Sequence, residues 1–149
     1  MIQHILLLAS ILLVVLVFGV FWGPWLALSR SMASFEPAVF LPIVARMNTN
    51  LAGAMTLLMP LTLAALVALA IVSRGTDLVL VLASLVAFIV SVVVTMAVEV
   101  PQVKIIVAWT AETLPADWQK PRDTWVAFHP VRIIAGFVCL VLLLIAAIF

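Results

Sequence analysis

The chain has 149 residues, of which 68% are hydrophobic and 9% charged. A soluble domain of this size carries about a quarter charged residues, so a water-surrounded globule is excluded and lipid is expected around most of the chain. The net charge of +1 excludes a basic nucleic-acid surface, and the single Cys139 excludes an intramolecular disulfide.

Four apolar runs are long enough to cross a hydrocarbon core of roughly 30 Å at about 1.5 Å per residue. The first covers residues 5–28. Met1-Ile2-Gln3-His4 enters it with no basic stretch and no small-residue cleavage site, so a retained transmembrane helix is expected rather than a signal peptide. Pro24 should bend or end that helix. A long connection, 29–50, follows. In it Ser34 is expected to cap a short apolar helix with Pro37 in its first turn, lying along the interface or on the mouth of the bundle. Asn48 and Asn50 sit where the second run (51–72) begins, as caps or as ligand contacts. Pro60 should kink that span.

Ser73 to Asp77 reads as a tight turn that makes an antiparallel hairpin of the second run and the third (78–98). In lipid the backbone must satisfy its own hydrogen bonds, so the β-branched third run is still a helix. Thr56, Thr62, Ser84, Ser91 and Thr95 should bond back to their own helices. Residues 99–130 form the second long connection and 131–149 the last run, with a helical lead-in. The expected architecture is therefore all-α. It is a single integral-membrane four-helix bundle over 1–149, with a polar, Trp-rich cap made by two long loops on one side. Both termini and the short turn lie on the other side.

All five Trp fall on the long-loop side: Trp22, Trp25, Trp109, Trp118 and Trp125. An interfacial belt is one reading, but belts normally form at both membrane surfaces, so the asymmetry favours a built cap over the bundle mouth. Six of the seven Lys and Arg lie on that side and Arg74 on the other. The positive-inside rule then favours cytoplasmic long loops, a signal weakened wherever those cations are paired.

Polar chemistry concentrates between Glu99 and Arg132. Arg122, Trp125, His129 and Arg132 are spaced to share one helix face. Pro130 should place a bend at His129 and free the Val126 carbonyl there. Arg132 lies at the hydrocarbon edge, where a lone cation is costly. Glu99 is its expected partner, with Asp123 and Glu112 as alternatives. Pro101 should end the third helix about there. Beside a cation, Glu99 fastens two spans as a carboxylate; buried without one, it is a candidate general acid or base. His129 is the candidate general base, with Arg132 or Arg122 to stabilise an anion and Glu99 to orient the ring. One His and one Glu make a thin metal site, and His4, at the far end of the first span, is badly placed for a shared haem. No nucleotide, zinc or triad motif appears, and no span carries the polar stripe of a transporter.

These residues carry a resemblance. Val98-Glu99-Val100-Pro101, Trp109-Thr110, Leu114-Pro115, Asp117-Trp118, Arg122-Asp123, Trp125, Phe128-His129 and Arg132 resemble the pattern of the anthrone oxygenase-like family of small four-helix membrane proteins. That family is largely a domain of unknown function. Arg46-Met47-Asn48 before the second run fits as well, and Gly19, Phe21 and Pro24 fit less specifically. Pro101-Gln102-Val103-Lys104 departs from the Asn-rich stretch that many members show after the proline.

The resemblance implies oxidation of anthrones to anthraquinones with molecular oxygen in some members, and, among bacterial relatives, an inner-membrane location. The expected site is an apolar pocket at the bundle mouth, capped by Trp22, Trp25, Trp118 and Trp125 and reached by Asn48. Its expected ligand is an apolar aromatic or quinone-like molecule. No cofactor is named by these residues. The alternative reading is a non-enzymatic accessory subunit, or a lipid- or quinone-binding module, of a larger membrane complex. Expected partners are the bilayer, that ligand, and either a membrane complex or further copies of the chain.

Overall fold

The computed structural model describes residues 1–149, the side chain of Ser29 apart. Four helical stretches, 2–28, 37–72, 75–107 and 119–148, are long and apolar enough to cross a membrane. Helix α1 (Ile2–Pro24) runs into a wide π turn (Trp25–Ser29) and then a short 3-10 turn (Met32–Ser34). Helix α2 (Pro37–Val72) is unbroken. Helix α3 (Gly75–Val94) continues through a second π turn (Thr95–Glu99) into α4 (Val100–Val107), and α5 (Gln119–Ile148) closes the chain. α1 packs on α2 and α5, and α3 packs on α5 and, more sparsely, on α2. The molecule is a four-helix membrane bundle.

The helices overrun the expected boundaries. α2 starts at Pro37 rather than 51, α4 carries the third helix to Val107, and α5 starts at Gln119 rather than 131. The two long connections at 29–50 and 99–130 therefore shrink, and the cap is built mainly of projecting helix ends. Proline position explains this. Pro37 stands in the first turn of α2, and Pro101 stands in the first turn after a π turn, where the missing N–H costs little. Ser34 caps nothing; its hydroxyl bonds the Ser31 carbonyl at 2.7 Å. Asn48 and Asn50 lie inside α2, so neither is a cap. At 36 residues α2 is about 54 Å long. It outreaches a core of roughly 30 Å, and its polar residues 46–50 lie beyond the hydrocarbon without ending the helix.

Two cores result. The membrane core gathers Val14, Val17, Leu66, Phe88, Cys139 and Leu143, while Leu12, Ile71, Val86, Val93 and Ile134 face outward to lipid. Lipid is as apolar as leucine, so this part is held by close packing and not by water exclusion. Gly136 lies where α5 packs on α1: a Cβ there would stand 3.4 Å from Phe18 and 3.8 Å from Phe21. Thr56, Thr62, Ser84 and Thr95 bond back to carbonyls four residues earlier. Ser91 instead crosses to the Arg132 carbonyl on α5, at 3.1 Å.

The second core is in the cap, where Met32, Phe40, Val44, Ile106 and Trp125 are buried with Trp109 and Trp118 against them. Water surrounds this part, so each large apolar side chain buried there contributes about 1.5–3 kcal/mol. Arg122 fastens it. Its Nε donates to Asp123 at 2.8 Å, one terminal nitrogen reaches the Ala33 carbonyl at 3.3 Å, and the guanidinium lies over Trp118. In the loop before α5, Thr110 donates to the Glu112 carboxylate at 2.8 Å and holds that carboxyl below its usual range. At the far end, Gly75 turns the hairpin at φ +58°, a conformation that glycine adopts without strain. Gln3 ties α1 to Asp77 of α3 at 2.7 Å.

Candidate functional site

Two prolines shape the site. Pro24 has no N–H, and the next donor, Trp25 N–H, turns to the Trp22 carbonyl. The Phe21 carbonyl thereby loses its regular partner four residues on. His129 takes that place from α5: its Nε2 lies 3.1 Å from the Phe21 oxygen. On the third helix, Pro101 would collide with the Ala97 carbonyl in a regular α-turn. The wider turn at Thr95–Glu99 relieves this, with Val100 N–H bonding Thr95. Such π turns recur at functional sites. Here one carries Glu99 and the other follows Phe21.

Glu99, His129 and Arg132 meet between the two cores. Arg132 places one terminal nitrogen 2.8 Å from His129 Nδ1 and 3.2 Å from Glu99 Oε2. A guanidinium can only donate, so Nδ1 accepts and the ring proton sits on Nε2, donated to Phe21. Glu99 Oε2 is 3.5 Å from Nδ1, two acceptors facing each other with the Arg132 nitrogen between them. Arg132, not Glu99, therefore holds the ring. The guanidinium also lies over the Phe21 ring, 4.5 Å from its centre. Glu99 and His129 are 2% and 1% exposed.

The network leaves groups unused. Neither Glu99 oxygen has a hydrogen-bond donor, nor does Arg132 Nε have an acceptor, among the described residues. The 3.2 Å Glu99–Arg132 approach is an ion contact without hydrogen-bond alignment, since the nitrogen is aimed at His129. A buried carboxylate without donors is unusual in a finished structure.

Both residues line a cavity of about 510 Å³ between α1, α2, α5 and the third helix. Its walls are mostly apolar, with Phe21, Met55, Met59 and Trp125 among them. Asn48, Thr56, Thr95, Glu99, Lys104 and Arg132 are the polar side chains reaching it. The Thr hydroxyls are committed to their own helices. A second hollow, of about 740 Å³, lies against the start of α2 and the Trp109–Leu114 loop.

The structure thus brings Glu99, Arg132, Asn48 and Trp125 around one space. His129 stands behind it, its ring edge-on to Trp125 at 6.2 Å, and does not line it. Trp22 and Trp25 face away, packed on each other at 5.3 Å, with Arg30 over Trp25. Trp118 packs on Phe40 in the cap core, and Arg122 is spent on Asp123, Ala33 and Trp118. Thr95, Met55, Met59 and Lys104 line the cavity without having been singled out as ligand contacts. The signal for Met55 and Met59 was their recurrence on the Asn48 side of α2, at intervals of seven and four. The chain matches no protein-family model, no curated protein and no solved structure.

Proposed function

We propose that this chain binds an apolar aromatic or quinone-like molecule carrying a hydroxyl group, and that it oxidises such a molecule in the manner of the anthrone oxygenase-like proteins its motifs resemble. One observation carries the reading: a buried carboxylate, Glu99, has both oxygens without donors in the wall of an otherwise apolar cavity. A ligand hydroxyl supplies the missing donor, and flat apolar rings suit walls of Phe, Met and Trp. Glu99, rather than His129, is then the proton acceptor, because both His129 nitrogens are already engaged. Arg132 stands beside the oxygen that gains negative charge as the proton leaves. The electron-rich ring carbon so formed would bond to molecular oxygen; its C–H bond then breaks as the O–O bond does, one oxygen atom stays as the new carbonyl, and the other leaves as water with that hydrogen and the proton returned from Glu99. The compartment we assign with this reading is a bacterial inner membrane.

Glu99→Gln in lipid nanodiscs, with a hydroxyanthrone as probe, tests it. A hydrogen bond to an ionised group is worth about 1.5–3 kcal/mol, so binding should weaken roughly tenfold to a hundredfold. Conversion to the anthraquinone should fall to the protein-free rate, with the helical spectrum unchanged. Equal affinity in the variant would remove Glu99 from the role.

A second reading has its own support. The same network ties α1, α3 and α5 together through Phe21, Ser91, His129 and Arg132. That is what a non-enzymatic binding module or accessory subunit of a membrane complex needs. Probe binding without conversion would favour it.

A further inference from the structure

The lining of the cavity divides into a closed wall and an open edge. Phe21, Thr95, Glu99 and Trp125 are buried. The exposed lining residues are Asn48, Ala52 and Thr56 on α2, with Met96 and Lys104 facing them from the third helix. All five belong to one seam, the one where α2 meets α3 sparsely. The lining residues on α1 and α5 are buried or half-buried.

The height of that opening matters. Counted at about 1.5 Å per residue from the Val72–Gly75 turn, Thr56, Ala52 and Met96 stand about 24 to 31 Å up their helices. That is the upper edge of a hydrocarbon core of roughly 30 Å. Asn48 and Lys104, at about 36 and 44 Å on the same count, stand at headgroup level and above. At the depth of Thr56, Ala52 and Met96 the frame offers passing lipid no free polar group: the Thr56 hydroxyl is bonded to the Ala52 carbonyl at 2.7 Å. Ala52 adds almost no bulk. The acceptor deprived of donors, Glu99, lines the cavity behind this gap, one helical turn above Met96 and at about 36 Å on the same count.

We infer that the cavity is loaded sideways from the bilayer. A hydroxylated aromatic amphiphile dissolved in lipid passes between Ala52 and Thr56 on one side and Met96 on the other, and donates its hydroxyl to Glu99. This rests on the ligand class proposed above and adds the route, the side of the bundle and the gating residues. The molecule never crosses water, which suits a ligand that partitions into lipid.

The test is the rate of uptake of an alkyl hydroquinone by the protein in reduced nanodiscs, followed by stopped-flow tryptophan fluorescence. Ala52→Trp narrows the gap from α2, and Met96→Trp narrows it from the opposite side should the first variant fold poorly. Ile134→Trp, on the lipid face of α5, is the control. Association and dissociation should both slow at least tenfold in the gap variants, with affinity changed less than threefold and the control at the wild-type rate. Uptake at the wild-type rate in a folded gap variant overturns the route while leaving the ligand reading intact. Lost affinity with an unchanged association rate does the same, placing Ala52 in the site and not in its doorway. No binding by the wild-type protein overturns both.

Discussion

Arg132 does three jobs with one side chain. It covers the Phe21 ring, gives a hydrogen bond to His129 and stands beside Glu99. A lysine could supply the charge but not the flat face or the fork of donors. Removing either partner from a buried ion pair strands the other charge, typically at a cost of about 3–5 kcal/mol. The arrangement also dictates where the proton on His129 sits. With Nδ1 accepting from a guanidinium and Nε2 facing a carbonyl, only the Nε2–H tautomer satisfies both neighbours. Nitrogen-15 NMR of histidine-labelled protein should show a proton on Nε2 and none on Nδ1 for His129, distinct from the exchanging signals of His4. A proton on Nδ1 would mean that Glu99, and not Arg132, holds the ring.

At the scale of elements, α1, α3 and α5 meet at Gly136. Its neighbours are Phe18, Phe21 and the Ser91 hydroxyl. A methyl group at 3.4 Å from Phe18 is tolerated with a small shift, and alanine gains about 0.5–1 kcal/mol of helix propensity over glycine. Gly136→Ala should therefore leave stability within about 1 kcal/mol of wild type. Gly136→Leu must push aside Phe18 or Phe21, and overpacking of this kind costs about 1–3 kcal/mol. Because Phe21 underlies Arg132, the leucine variant should also lose probe affinity. Thermal unfolding in detergent, read by near-ultraviolet circular dichroism, checks the stability order. Equal melting of the two variants would show that the helices do not approach there. Much of this architecture is written in composition: in lipid, an apolar run of about 20 residues has no option but a helix, and Glu99 and Arg132 had to pair because neither is tolerated alone. The helix ends were not legible, because Pro37 and Pro101 sit where a helix accepts them. The π turns were hidden because one extra residue leaves the apolar pattern intact. The Nε2–H of His129 is met by the Phe21 carbonyl, 108 positions earlier in the chain, a contact that no local pattern encodes.

The whole molecule is lopsided, and the lopsidedness yields a prediction of which way it sits. The projecting helix ends, the five Trp and most charges are at one end, while a tight turn and both termini form the other. Of the six cations on the capped side, Lys120 pairs with Asp117, Arg122 with Asp123 and Arg132 with Glu99. Discounting them leaves Arg30, Arg46 and Lys104, which make no ion pair among the described residues. Arg74 is the single Lys or Arg at the far end. The excess survives the discount, and short segments rich in Lys and Arg are retained in the cytoplasm. The cap should therefore face the cytoplasm, with the Val72–Gly75 turn outside. Cys139 is fully buried, so the chain offers a silent background for thiol labelling. In intact cells a membrane-impermeant maleimide should modify Thr76→Cys, exposed at the start of α3, and reach Ala111→Cys, in the exposed cap loop, only after permeabilisation. The reverse pattern would mean that cap packing, and not charge, sets the insertion. The cavity would then open toward the outer leaflet, and a ligand made in the cytoplasm would have to cross the bilayer before reaching Glu99.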